Sequence, residues 1–207
     1  MRRFLIAAAC ALMMFGAGAK AQEGWDEISF QYKPSQVKVD GSTDDGDDNS
    51  SLDILSLSFG HAFGVSGSVP VYVRPSLGVD YAFKKISDDE ASIKTYWFSV
   101  TPMLDFGYLF TIPDSRFEIL PYAGLTSRVN LYGRARLESD VLDENLDILD
   151  DDDMNGDPLK RFQLGWHAGA DLFFSNFIFG LSYGTDFLEM GEDARIHSLY
   201  LKLGWRF

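Results

Sequence analysis

The chain has 207 residues, of which 46% are hydrophobic and 24% are charged, and its formal net charge is −13. The apolar share is that of a folded domain and excludes global disorder, and the length allows one domain or two small ones. No stretch beyond the N-terminal region approaches 18 consecutive apolar residues, which excludes a helical membrane protein. The acidic excess disfavours nucleic acid as a partner, and the single cysteine allows neither an internal disulfide nor a cysteine-based zinc site.

The first 21 residues have the features of an export signal. They begin with two basic residues, Arg2 and Arg3, continue with an apolar run and end on the small-residue site Ala19-Lys20-Ala21. This order predicts a cleaved secretory signal peptide over residues 1–21. The alternative is an uncleaved anchor, but the apolar run is too short to span a bilayer.

From residue 27 onward, apolar and polar residues alternate with a period of two, as in strands with one apolar and one polar face. In the last such segment Leu199, Leu201 and Leu203 alternate with Tyr200 and Lys202. The pattern predicts eight strands, over residues 27–33, 52–63, 69–84, 94–110, 117–132, 161–174, 177–188 and 196–207.

The predicted connections differ in length in a regular way. Short turns are expected at 64–68, 111–116 and 175–176, and long polar connections at 34–51, 85–92, 133–160 and 189–195. Short turns at one end and long loops at the other are typical of transmembrane barrels. The sequence therefore predicts an all-β fold, an eight-stranded antiparallel up-and-down transmembrane β-barrel over residues 22–207, with both termini on the periplasmic side.

The acidic residues are concentrated in two of the long connections. Segment 40–53 holds six acids and no base, and segment 138–157 holds ten acids and no base. In the predicted barrel the loops 34–51 and 133–160 face the cell exterior, where their acids would repel anions and attract cations.

A soluble antiparallel sandwich or a lipocalin-like barrel also alternates, and it is the competing interpretation. The composition of the polar face favours the membrane barrel. That face is rich in glycine, serine and alanine, which suits a crowded concave interior better than a convex surface. In lipid the sheet must close, because every backbone N–H and C=O has to be paired internally.

Three prolines lie inside predicted strands. Pro75, Pro102 and Pro121 lack the N–H that a sheet ladder uses. We expect a bulge or a local break of the ladder near each of them. Trp97 falls on the polar side of its strand, which suggests that the alternation slips there.

The polar faces carry charges of both signs. Unpaired charges inside a narrow barrel are costly, so the main interpretation is a network of paired charges that plugs the lumen. The alternative is a narrow conduit for cations or small solutes, although eight strands leave little free lumen. The predicted lumen network consists of Arg74, Asp80, Asp105, Glu118, Arg128, Asp171, Asp186, Lys202 and Arg206.

Large aromatic residues fall near the predicted strand ends. Such rings settle at membrane interfaces, so we interpret them as girdles rather than as a ligand platform. The predicted girdle residues are Trp25, Tyr32, Phe63, Tyr81, Tyr96, Phe110, Phe117, Tyr132, Trp205 and Phe207.

One acidic run resembles the beginning of a calcium-binding loop. Asp151, Asp153 and Asn155 have the spacing of its first ligands, and Gly156 follows them. The bidentate glutamate that completes such a loop would fall at residue 162, which is phenylalanine. We therefore expect no cofactor, and at most weak Ca²⁺ binding in loop 150–157.

No catalytic motif is apparent. His167 and Asp171 share a face, but their spacing places them roughly 13 Å apart along a strand. His61 and His197 fall on the opposite, lipid-facing side, and no spacing reproduces a nucleophile–base pair. We expect that the protein is not an enzyme, and a membrane-embedded hydrolase is the remote alternative.

The C-terminal residues carry a resemblance to a known group. Leu199, Leu201, Leu203, Trp205 and Phe207 match the C-terminal signature of bacterial outer-membrane barrels, which the barrel-assembly machinery reads as an insertion signal in that group. More narrowly, the chain resembles the small porin-like, PorT-type barrels of Bacteroidota and the OmpA-like transmembrane barrels. The phrases that carry this narrower resemblance lie at 73–81, 120–125, 165–171 and 203–207.

The resemblance implies a cellular location rather than a specific biochemical activity. It implies export to the outer membrane of a Gram-negative bacterium, with outer-membrane lipid, lipopolysaccharide and the assembly machinery as partners. Oligomeric state does not follow from it. The expected function is a structural or surface-interaction role with a plugged lumen; the alternative is a narrow, cation-preferring porin-like channel.

Overall fold

The computed structural model describes residues 24–39, 50–65, 67–87, 91–139, 143–149, 160–188 and 194–207. The predicted signal peptide at 1–21 lies outside the described residues, and so does the calcium-like run with Asp151, Asp153 and Asn155. No helix among the described residues is long and apolar enough to cross a membrane.

The described chain forms one antiparallel sheet that closes on itself. Eight long strands pair in the ring β1-β2-β3-β4-β6-β8-β9-β10-β1. Short β5 continues β4 along β6, and β7 pairs with the far end of β6. The strands are β1 Trp25–Val39, β2 Ser50–Gly64, β3 Val71–Ser87, β4 Ala91–Tyr108, β5 Phe110–Thr111, β6 Phe117–Ser139, β7 Asp143–Asp147, β8 Phe162–Phe174, β9 Phe177–Asp186 and β10 Ala194–Arg206.

The pairing of β1 with β10 closes the ring and confirms the predicted eight-stranded antiparallel barrel. Their register runs from Glu27 opposite Arg206 to Val39 opposite Ala194. Beyond it the backbone N–H of Asp26 donates to the carbonyl of Phe207 at 3.1 Å, and the N–H of Phe207 donates back at 2.9 Å. Each long strand therefore has a hydrogen-bonded neighbouring strand on both of its edges.

Several strands are longer than the alternation predicted. β1 runs to Val39 and β6 to Ser139, so parts of the predicted loops 34–51 and 133–160 are strand. Ser35, for example, lies opposite Leu52 on one side and Ser198 on the other. The reason is that ladder hydrogen bonds join backbones and continue where the side-chain pattern is reversed, with Val37 and Ala135 packed inside and Gln36 and Arg134 exposed.

The two faces of the sheet have opposite chemistry, as the period-two pattern predicted. Leu57 and Leu203 point outward and are 57% and 58% exposed. Lys33, Asp80 and Asp171 point inward and are fully buried. An exposed apolar belt around a buried polar interior is the inverse of a water-soluble protein and matches a barrel with lipid around it.

The prolines interrupt the ladder without shifting the register. At each one the pairing with one neighbouring strand skips two residues and then resumes in the same frame, because proline has no N–H to donate. At Pro75 the skip lies between the pairs Gly60–Ser76 and Phe63–Val73. At Pro102 it lies between Val100–Val129 and Met103–Thr126. At Pro121 it lies between Gly107–Tyr122 and Phe110–Ile119.

The register does shift at one other place. Phe98 is opposite Tyr132 and Ser99 is opposite Asn130, so Leu131 is an extra residue in β6. The prediction that the alternation slips at Trp97 is wrong for β4, because the side chains of this strand keep alternating between the two faces. Trp97 is 5% exposed and belongs to the interior, which is apolar at that level.

The girdle prediction also needs one correction. Most of its aromatics, Tyr81 and Tyr132 for example, lie on the outward face. Trp25 instead turns inward and packs on Tyr72 and Phe173, with ring centroids 4.7 and 5.6 Å away. It fills the interior at the end where β1 begins.

The outward orientation can be tested at Leu57, near the middle of β2. Leu57→Arg places a charge near the bilayer midplane and is expected to lower the free energy of unfolding by about 2–4 kcal/mol. Gln36→Arg, on the same face near the end of β1, should change it by about 0–1 kcal/mol. Urea unfolding of the protein folded in lipid vesicles measures both. Equal effects of the two substitutions would contradict this orientation.

Candidate functional site

The interior is divided into four layers along the barrel axis. We name the ends by their connections: the turn end holds the short turns and the start of β1, and the loop end lies opposite. From the turn end, the layers are the turn-end cap (Ala62, Tyr72, Leu109, Leu120, Phe173, Ile178), the central charge cluster (Glu27, Arg74, Asp105, His167, Asp171, Lys202), the outer charge cluster (Lys33, Asp80, Arg128, Asp186) and the loop-end cap (Leu52, Ile54, Ala82, Trp97, Ile148, Leu149, Ile196).

Arg74 is the hub of the central charge cluster. Its Nε and Nη2 atoms donate to Oδ2 of Asp105 at 3.1 and 2.8 Å, and Nη1 donates to Oε2 of Glu27 at 3.3 Å. Nη1 also donates to Asp171. One guanidinium on β3 therefore binds carboxylates from three other strands across the lumen, using the fork geometry that suits arginine to this role.

Two further groups complete this cluster. Nζ of Lys202 donates to Oε1 of Glu27 at 2.7 Å and to Oδ2 of Asp171 at 3.0 Å. Nε2 of His167 lies 2.7 Å from Oδ1 of Asp105. Three carboxylates thus share two permanent cations and one imidazole, and all six side chains are buried.

Glycine makes room for these long side chains. Gly180 lies opposite both Asp171 and Lys202 in the ladder. A Cβ atom on Gly180 would come within 2.9 Å of Cβ of Lys202, closer than real Cβ contacts. The small residues on the polar faces, which the sequence shows, therefore supply the space that the charged side chains occupy.

The outer charge cluster is balanced in sign. Nζ of Lys33 lies 3.1 Å from both carboxylate oxygens of Asp80, and the Thr101 hydroxyl donates to Asp80 at 2.9 Å. Nη1 of Arg128 lies 3.3 Å from Asp186 and 2.8 Å from Oε1 of Gln163. These are two ion pairs with additional hydrogen bonds, which a buried ion pair requires to offset its desolvation.

Each end of the interior is covered by apolar groups. At the turn end Arg206 pairs with Glu118, and the Arg206 guanidinium lies 4.5 Å from the Phe173 ring centroid. At the loop end Ile148 and Leu149, which follow β7, pack with Trp97. The amide of Ile148 also lies 3.4 Å from the carbonyl of Gly133, which fixes this segment against β6.

The space left beside the central cluster is small. A cavity of about 20 Å³ is bordered by Glu27, Arg74 and Asp105 among other residues. That volume holds about one water molecule.

Comparison with known proteins places the chain in a family. The model of the outer membrane protein beta-barrel domain matches residues 7–207. The chain belongs to this family. Proteins of this family lie in the outer membrane of Gram-negative bacteria, and this barrel is accordingly an outer-membrane protein. None of the curated proteins matches the chain.

Several solved structures are similar to this outer-membrane barrel. Ail, the attachment invasion locus protein of Yersinia pestis, is 18% identical, with 90% of this chain and 100% of Ail covered and a TM-score of 0.48. Neisserial surface protein A is 12% identical, with the same coverage and TM-score. The outer membrane enzyme PagL is 14% identical, with 86% of this chain and 98% of PagL covered and a TM-score of 0.45.

The structure places the nine residues of the predicted lumen network in two kinds of position. Seven are buried in the two charge clusters, whereas Glu118 and Arg206 pair at the turn end and are about one fifth exposed. The predicted assembly signal, Leu199, Leu201, Leu203, Trp205 and Phe207, lies on the outward face of β10 and just beyond it. Its reading by the assembly machinery stays a prediction.

Sequence analysis missed three members of the clusters. Glu27 and Lys33 occupy the same face of β1 as Ser29 and Gln31, so the period-two alternation alone assigns them to the polar interior. His167 was compared only with Asp171 on its own strand. Its actual partner, Asp105, comes from β4, and nothing in the spacing of one strand reveals a contact across the lumen.

Removal of the hub should destabilise this barrel. Arg74→Leu leaves Glu27, Asp105 and Asp171 with one permanent cation among them, and breaking a buried ion pair costs about 3–5 kcal/mol. Arg116→Leu, in an exposed turn, should stay within about 0.5 kcal/mol of the wild type. Urea unfolding in vesicles gives both values, and a loss at Arg74 no larger than at Arg116 would show that the cluster contributes nothing to stability.

Proposed function

We propose that this protein is a closed outer-membrane barrel with a structural or surface-interaction role, and that it conducts no solute. The observation that carries the proposal is the central charge cluster. Arg74 reaches three carboxylates that project from β1, β4 and β8, so the ion pairs bridge the lumen from several sides. Beside this cluster the described side chains leave a cavity of about 20 Å³, which has room for about one water molecule.

The caps support the same proposal. A solute that passed the central cluster would also have to displace the apolar side chains at both ends, including Phe173 at the turn end and Trp97 at the loop end. Opening the lumen requires that buried ion pairs separate without water to replace them, which is costly in a low-dielectric interior.

The competing function is a narrow, cation-preferring channel. The acidic excess of the chain, with a formal net charge of −13, favours attraction of cations. Against it, Arg74 and Lys202 are paired with Glu27, Asp105 and Asp171 across the lumen, so a cation could pass only by separating these buried ion pairs.

A hydrolytic role has weaker support. His167 and Asp105 form an acid–imidazole pair, but His167 is 3% exposed and lies between the Tyr122 and Tyr200 rings. A substrate in lipid or in water cannot reach it. We therefore propose that the pair is structural and that the protein is not an enzyme.

The proposed surface role rests on the sequence of the long connections. In barrels of this architecture the short turns face the periplasm and the longer loops face the exterior, which places the acidic segments 40–53 and 138–157 outside. There they would share divalent cations with anionic lipopolysaccharide. Weak Ca²⁺ binding in loop 150–157, and recognition of the C-terminal residues by the assembly machinery, are parts of the same proposal.

Planar-bilayer recording tests the closed lumen. Protein refolded in detergent, with folding checked by heat-modifiable migration on a gel, should give no discrete conductance steps after insertion. A heat-unfolded sample in the same detergent controls for leakage caused by the detergent itself. Steady, cation-selective steps from the folded sample alone would overturn the closed barrel and establish the channel.

A further inference from the structure

The two apolar caps of the interior are built differently. Every residue of the turn-end cap lies on a strand of the closed ring or, in the case of Leu109, between β4 and β5. Five residues of the loop-end cap also lie on ring strands, but Ile148 and Leu149 follow β7, which pairs with β6 and is not part of the ring. We call Ile148 and Leu149 the strap. The cover of the loop end thus contains a piece that the closed sheet does not fix.

The strap fills a space that the wall of the barrel leaves for it. Ile148 and Leu149 are 4% and 7% exposed. Gly133 of β6 provides part of the space, because a Cβ atom on it would come within 2.7 Å of Cγ1 of Ile148 and 3.3 Å of Cβ of Trp97. Both distances are shorter than ordinary van der Waals contact. A methyl group at position 133 and the Ile148 side chain would therefore compete for the same volume.

The hydrogen bonds between the strap and the wall are long. The Ile148 amide donates to the carbonyl of Gly133 at 3.4 Å, and Nη2 of Arg161 donates to the carbonyl of Leu149 at 3.5 Å. Strong N–H···O bonds span roughly 2.7–3.2 Å. The shorter bond, from the Leu149 amide to Oδ1 of Asp147 at 3.0 Å, closes the turn itself and does not reach the wall. The strap is therefore held mainly by the burial of two aliphatic side chains.

Polar atoms without partners lie beneath this apolar cover. Nε of Arg128, Nε2 of Gln163 and Oδ1 of Asn130 are buried and have no hydrogen-bond partner among the described residues. Such atoms raise the free energy of the closed mouth, and water that entered would satisfy them. Opening the mouth exposes apolar surface, which is unfavourable, but it also hydrates these atoms and the outer charge cluster. The open mouth is therefore closer in free energy to the closed one than the loss of apolar burial alone would make it.

We propose that the strap is a gate at the loop end of the barrel. Ile148 and Leu149 swing out together and admit water to the outer charge cluster, while the eight-stranded ring stays closed. Such local opening is expected of segments that make few backbone contacts, whereas the turn-end cap opens only when ring strands separate. The central charge cluster takes no part in the movement. The inference goes beyond the proposed function, because it concerns the mouth alone and holds whether or not the lumen below conducts.

Cysteine labelling of the folded full-length chain in detergent micelles tests the gate. The chain has one cysteine, Cys10, which Cys10→Ser removes from every sample. Two matched reporters are then introduced singly, Ala82→Cys in the loop-end cap and Ala62→Cys in the turn-end cap, both at positions that are 0% exposed. A small water-soluble methanethiosulfonate labels each thiol, and mass spectrometry gives the rate. Division by the rate in the urea-unfolded chain removes differences in thiol reactivity.

The gate predicts different rates at the two caps. Ala82→Cys should be labelled at least about tenfold faster than Ala62→Cys, because the strap opens locally and the turn-end cap does not. Gly133→Ala places a methyl group in the volume of the Ile148 side chain and so favours the open mouth. It should raise the rate at Ala82→Cys by a further factor of about three and leave the rate at Ala62→Cys unchanged.

Three results would overturn the gate. Equal rates at the two reporters would show that the loop-end cap is as permanent as the turn-end cap. An unchanged rate at Ala82→Cys in the Gly133→Ala background would show that the strap does not control access. A rise at both reporters would mean that the whole barrel has loosened. If Gly133→Ala fails the heat-modifiability check, Leu149→Ala, which weakens the hold from the side of the strap, should raise the rate at Ala82→Cys alone.

Discussion

The closure of the sheet by β1 and β10 is the constraint on which the rest of the structure depends. In hydrocarbon, water cannot satisfy an unpaired backbone group, so a membrane sheet can have no free edge. The ladder from Glu27–Arg206 to Val39–Ala194 supplies the missing pairs. Once eight strands close, the diameter is fixed, and the interior is only wide enough for side chains.

The chemistry of the interior follows from that narrow width. The inward face cannot rely on bulk water, so its charges must find partners across the lumen. Arg74 meets three carboxylates, and Lys33 meets Asp80. Glycine and serine on the same face leave the volume that these long side chains need, as Gly180 does beside Lys202. Apolar residues then separate the charges from water at each end.

The sequence predicted the faces and the strand count because alternation with a period of two is a local property. Strand ends were less predictable, since the ladder of β1 continues to Val39 after its outward-facing residues have become polar. Contacts across the lumen could not be predicted at all. The pairing of His167 with Asp105 joins residues 62 positions apart, and it depends on the register of several strands together.

The inward tryptophans show a related limit. Trp25 and Trp97 were expected at an interface and at a slip of the alternation, but both pack inside. A rule that assigns polar residues to the interior holds in the charged middle of the barrel. It fails at the two ends, where apolar side chains cover the charge clusters and the interior becomes a small hydrophobic core.

Nuclear Overhauser effects in detergent micelles test the closed ring most directly. The account predicts cross-strand contacts between backbone protons of Ser29 and Gly204 and of Gln31 and Lys202, which are opposite in register. These should be as strong as those between β3 and β4. If β1 showed contacts to β2 alone, and β10 to β9 alone, the sheet would be open and the account of the interior would be contradicted.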